Sequence, residues 1–159
     1  MRSGIDIKEE RGTSLVEFAL VLPILLLILF GLLSFGKAFN YWNDETHLAA
    51  EGARWAVVNA NPGGGSLQDY IRQQADTGEL QGLAHVCIAF PTNPATGTSG
   101  LVGDPVTVTV TSDYPWMPFV SSRGGLAPTT TISGTATMRL EAAPTNFTTG
   151  NGGTGGTCS

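Results

Sequence analysis

From Leu15 to Phe35 the chain is apolar at nearly every position, broken only by Glu17, Pro23, Gly31 and Ser34. These roughly 21 residues make about 31 Å of helix at about 1.5 Å per residue, which matches a hydrocarbon core of about 30 Å. The pattern then changes without stopping. Phe35, Phe39, Trp42, Thr46, Ala49, Ala53 and Ala56 recur at alternating spacings of four and three, which predicts one apolar helix face. Lys37, Asn40, Asp44, Glu45, Glu51 and Arg54 fall on the other faces. A single helix is therefore expected from Thr13 to about Asn59, ended by Asn61-Pro62 and three glycines. Pro23 should bend or loosen it locally, because it leaves the carbonyl of Ala19 without a helical donor. Gly52, with Ala49, Ala53 and Ala56, makes a narrow ridge on which a sheet can lie closely.

Farther on, Ser66 followed by Asp69 reads as a capping-box variant, and Leu67, Tyr70, Ile71 and Ala75 keep helical spacing up to Gly78. Leu83 to Phe90 is rich in β-formers and bounded by Gly82 and Pro91. Val106, Val108 and Val110 alternate with Thr107, Thr109 and Thr111, giving a strand with one apolar and one polar face. A third strand is expected over Thr129 to Leu140, bulged at Gly134. Pro91–Gly103 and Ser112–Pro128 read as irregular, the second carrying Tyr114, Trp116, Met117 and Phe119 around Pro115 and Pro118, expected to cap the core rather than bind a ligand, or to suit a subunit interface if exposed. The fold class is thus α+β: a long N-terminal helix, transmembrane then amphipathic, packed on a small antiparallel sheet.

Composition narrows the function. Eight Lys and Arg against thirteen acids leave no basic patch for a phosphate backbone, so nucleic acid is not an expected partner. Arg2, Lys8 and Arg11 precede the apolar run and only Lys37 follows closely, which places the N-terminus in the cytoplasm and the C-terminal domain outside it. A cleaved secretory signal fits less well. The run is longer than the usual h-region of about 7 to 15 residues, and no A-x-A-like exit follows it. Cys87 and Cys158, the two cysteines, are compatible with one disulfide in an oxidising compartment or with two unpaired thiols.

Gly12, then four residues, then Glu17-Phe18 and a run containing Leu22-Pro23 resembles the processing site and helix of type IV-like pseudopilins. The closer resemblance is to TadE-like minor pseudopilins of tight-adherence (Flp-type) pili. Val16 to Pro23 is followed about thirty residues later by Ala50-Glu51-Gly52-Ala53-Arg54, and Ala136 to Glu141 is similar to the family's last strand. The resemblance implies a leader over 1–12, a membrane helix over 13–36, a pilin-like ectodomain over 37–145 and a flexible Gly/Thr-rich tail over 146–159. It further implies cutting between Gly12 and Thr13 by a prepilin peptidase, and a role for Glu17 and Phe18 in helix register and assembly. The implied partners are the membrane, other pilins and pseudopilins, and the tight-adherence machinery. The implied location is the bacterial cytoplasmic membrane, in or at the base of the pilus.

No motif for catalysis accompanies these. His47 and His85 fall in different elements without metal-ligand spacing, and Gly63–Gly65 lacks the Lys-Ser/Thr pair of a phosphate loop. The expectation is no catalytic residue, metal, cofactor or small-molecule substrate. A reading of another class is a plain single-pass membrane protein whose ectodomain binds an extracytoplasmic ligand. Cleavage after Gly12 separates the two. Glu51 and Arg54, three apart, are expected to pair with each other or to meet another subunit.

Overall fold

The computed structural model describes residues 7–63, 65–116, 128–146 and 150–152. The chain divides into two compact units, Met1–Lys37 and Ala38–Ser159. Helix α1, Ile7–Val57, contributes to both and runs unbroken through Pro23. It starts earlier than the apolar run requires, since Lys, Glu and Arg at 8–11 are good helix formers and nothing there interrupts the backbone. Its C-terminus is closed by Asn59 in the left-handed region, φ 52°. The Asn59 side chain accepts from the amides of Thr145 and Asn146, each at 2.9 Å, while the amides of Glu141 and Ala142 donate to the carbonyl of Val57.

In the second unit a sheet in the order β3-β2-β1-β4 is antiparallel throughout. Its strands are β1 (His85–Ala89), β2 (Pro105–Pro115), β3 (Thr129–Arg139) and the short β4 (Gly150–Gly152). Val106, Val108 and Val110 are fully buried beside Val86 and Ile88, while Thr107 and Thr137 join hydroxyls at 2.9 Å on the other face. The Val/Thr alternation therefore sorts the faces as expected of a sheet covered on one side. Two short helices, α2 (Leu67–Gln73) and α3 (Gly78–Leu83), lead into β1. Ser66 caps α2, accepting from the Asp69 amide at 3.0 Å, and Thr77 caps α3 in the same way from Leu80.

Several expectations need correction. α2 ends at Gln73 rather than near Gly78, and Gly78–Leu83 forms α3, a helix too short to show periodicity. β2 continues through Ser112 to Pro115 because Ser112 and Tyr114 keep the inward alternation begun by the valines. β3 has no bulge at Gly134, which faces Val110 in unbroken register. A glycine is required there for another reason: a Cβ would collide with the backbone of Glu45 and Thr46, so α1 rests directly on this strand. Within the stretch read as tail, Gly150–Gly152 pairs with β1, using the backbone donors and acceptors that an uncovered edge offers.

The α1 face also differs in its lower half. Ala49, Ala53 and Ala56 are buried as expected, but Phe39 and Trp42 are exposed, and Ala38, Tyr41, Asp44, Glu45 and Leu48 are buried instead. Spacings of four and three can be laid along more than one stripe of the same helix. The stripe that packs, Tyr41-Glu45-Leu48-Gly52-Ala56, contains an acid and a glycine. Tyr41 meets Tyr114 edge-on, centroids 5.4 Å apart, and Tyr114 meets Trp116 at 5.2 Å, so these aromatics do cap the core. Met117 and Phe119 lie outside the described residues.

Candidate assembly region of the N-terminal helix

Among the described residues of the first unit most large apolar side chains are exposed. Leu15 and Leu20 are each 70% exposed and Leu27 67%, and the most apolar 18-residue window has none of its residues buried. An exposed apolar surface of this extent needs lipid or another protein. The helix is long and apolar enough to cross a membrane, which fits a single-pass membrane protein. Gly12 is exposed, and a Cβ added there would meet nothing within 4 Å. The Gly12–Thr13 bond thus lies on an open stretch of α1. Thr13 and Glu17 are four apart and share a helix face, with Phe18 beside Glu17; all three are exposed.

The second unit shows why α1 can pack so closely. A Cβ on Gly52 would lie 2.6 Å from Cδ1 of Ile71 and 3.2 Å from Cγ1 of Val108, so this residue touches α2 and β2 at once. Trp55 packs edge-on to Tyr70, centroids 6.2 Å apart, beside that contact. Glu51 and Arg54 form no ion pair with each other among the described residues; with His47, Ala50, Trp55 and Val58 they line an open groove.

Two acids of α1 face inward, which sequence reasoning missed. Glu45 is fully buried: Oε1 accepts from the Ser112 hydroxyl of β2, and Oε2 has no hydrogen-bond partner among the described residues. Burial pushes its carboxyl up to about 7; the Ser112 bond works against this and the neighbouring Asp44 charge adds to it. Asp44 is raised in the same direction, mainly by burial, although it accepts from the Asp76 amide at 3.0 Å. Asp104 behaves oppositely. Burial disfavours its charge, but bonds from Asn93, the Leu101 amide, Thr98 and Thr96 outweigh that and hold it below the usual carboxylate range. It anchors the 93–104 loop.

The sequence of this helix matches the family model of the TadE-like protein over residues 12–54. The N-terminal region is TadE-like. The TadE-like region begins at Gly12, takes in the exposed span and the buried Glu45, and ends at Arg54, beside the tight contact at Gly52. The chain matches no curated protein and no solved structure. A TadE-like region with a membrane-capable helix supports a membrane protein related to the tight-adherence pilus. The other candidate residues stand apart from it. Cys87 is central in β1, opposite Thr109 on β2 and Asn151 on β4, and Cys158 lies outside the described residues. Among the described residues no group of three or more His, Cys, Asp or Glu is placed to hold a metal ion.

Proposed function

We propose that this chain is a minor pseudopilin, a pilus assembly protein of a bacterial tight-adherence (Flp-type) system. A prepilin peptidase cuts it between Gly12 and Thr13 at the cytoplasmic face, and it associates with other pilins through its N-terminal helix. The supporting observation is that the TadE-like match starts at Gly12 and runs along a helix whose apolar first half, Leu15 to Phe35, is largely exposed among the described residues. Such a helix serves both stages of assembly, since lipid covers it before incorporation and neighbouring helices cover it afterwards. The work of the protein is binding and positioning rather than catalysis.

Glu17 sets the register in this reading. Cutting creates an α-amine on Thr13, and a carboxylate and an ammonium near the start of an apolar helix are each unfavourable alone, by about 2.5 to 3.5 kcal/mol at a bilayer centre. Glu17 of one subunit meets the Thr13 amine of a neighbour, fixing the axial offset as helices leave the bilayer. Because Thr13 and Glu17 share a helix face, pairing within one chain is the alternative that a test must separate. Glu17→Gln should leave membrane insertion and cleavage intact while reducing crosslinking to pilin subunits. Normal crosslinking and normal piliation in that variant would refute the register role and favour the intrachain pair.

A further inference from the structure

We infer that Phe39 and Trp42 rest in the lipid headgroup layer of the membrane that holds the preceding span, so that the second unit touches the bilayer through this aromatic pair. The inference depends on the membrane reading of residues 13–36 and adds to it a surface of the folded ectodomain. Phe39 is 58% and Trp42 50% exposed, and their rings lie against one another, centroids 5.7 Å apart. They are not bare because the helix is unpacked at this level: Tyr41, between them in sequence, is buried against Tyr114 on the sheet side.

Continuity with the span identifies the occupant. If Glu17 stays at the cytoplasmic interface, a hydrocarbon core of about 30 Å takes roughly 20 residues and runs from Phe18 to Lys37. The headgroup region adds about 5 to 7 Å on each side. Phe39 and Trp42 follow Lys37 within about 8 Å of helix rise, and helical side chains lean toward the N-terminus, here toward the bilayer. Lys37 at the boundary suits a cation whose stem lies along lipid while its head reaches water. Indole is the side chain best suited to this layer, with an apolar body and one polar N–H.

Charge placement agrees. Between Ala38 and His47 the exposed residues are Phe39, Asn40, Trp42, Asn43, Thr46 and His47. Both acids of this stretch, Asp44 and Glu45, are turned into the core. The turns that face an anionic lipid surface thus present aromatic and uncharged polar groups rather than carboxylates, even though the chain as a whole is acidic, with formal net charge -5.

The test uses the full chain reconstituted in vesicles of phosphatidylethanolamine and phosphatidylglycerol, comparing wild type with W42F. Carbonate extraction reports insertion independently. The emission lost in W42F, which isolates Trp42 from Trp55 and Trp116, is probed with lipids spin-labelled near the headgroup and with aqueous acrylamide. The expected result is strong quenching by the labelled lipid and weak quenching by acrylamide. An inserted chain whose Trp42 is quenched by acrylamide alone overturns the inference. So does one shielded from both quenchers, which would assign the pair to a second copy or another protein. A chain released by carbonate would overturn the membrane reading itself.

Discussion

Replacing Glu45 with Gln should make the ectodomain more stable at neutral and alkaline pH and remove much of its pH dependence. In the folded chain the buried carboxyl keeps its proton up to about 7, whereas an unfolded glutamate releases it near 4.5. Between those values the folded state binds more protons, so stability falls as pH rises. The contribution is fully present below about 4.5 and gone once pH has risen through about 7. At about 1.36 kcal/mol per pKa unit, the displacement is worth on the order of 3 kcal/mol, or on the order of 10 °C in Tm for a domain of this size. Gln keeps an acceptor for the Ser112 hydroxyl and never ionises. Asp44 shifts in the same direction and remains in the variant, so a weaker slope should survive. The assay is thermal unfolding of the full chain in micelles, followed by near-ultraviolet circular dichroism from pH 5 to 8. A flat or rising wild-type profile, or an E45Q profile as steep as wild type, would refute the reasoning.

Three other outcomes follow from the packing. Gly134→Ala should cost about 1 to 3 kcal/mol in chemical denaturation, because its Cβ meets helix backbone that cannot turn aside; an unchanged midpoint would contradict the close seat of α1 on β3. Asp104→Asn should speed proteolysis within 93–104 and remove a contribution that is present above the usual carboxylate range and lost as pH falls through the folded value; equal cleavage rates would exclude the anchoring role. Cys87 and Cys158 are proposed to join in the exported protein, holding the tail to the sheet edge where Asn151 already faces Cys87. The bridge would close a loop worth roughly 4 kcal/mol by chain entropy, and non-reducing peptide mapping that finds both thiols free would end the idea.

The elements that the sequence announced are those whose physics is local. The apolar run, the Asn61-Pro62 break, the Ser66 cap and the Val/Thr alternation each depend on neighbours in the chain, and each appears where expected. What stayed hidden depends on partners distant in sequence. Glu45 looks like a solvated residue until Ser112, 67 positions away, is found beside it. Hydrophobicity ranks Phe39 and Trp42 above it for burial, yet the sheet lies on the other stripe. Gly134 carried a detectable signal, a glycine inside a strand, but the signal does not distinguish a bulge from a helix backbone pressed on that strand. β4 has no side-chain pattern to detect, since glycine-rich backbone alone completes the pairing. In the candidate assembly region the span was legible because a long apolar run is a property of linear sequence; the cut after Gly12 and the register role of Glu17 are proposals that rest on the TadE-like resemblance. The inward turn of Asp44 and Glu45 was not legible.

The decisive measurement is the mature N-terminus of the protein recovered from its native envelope, read by intact mass and terminal peptide sequencing. A chain beginning at Thr13, with the apolar helix retained, is the predicted result. A chain still beginning at Met1, or one cut beyond Phe35, would contradict it.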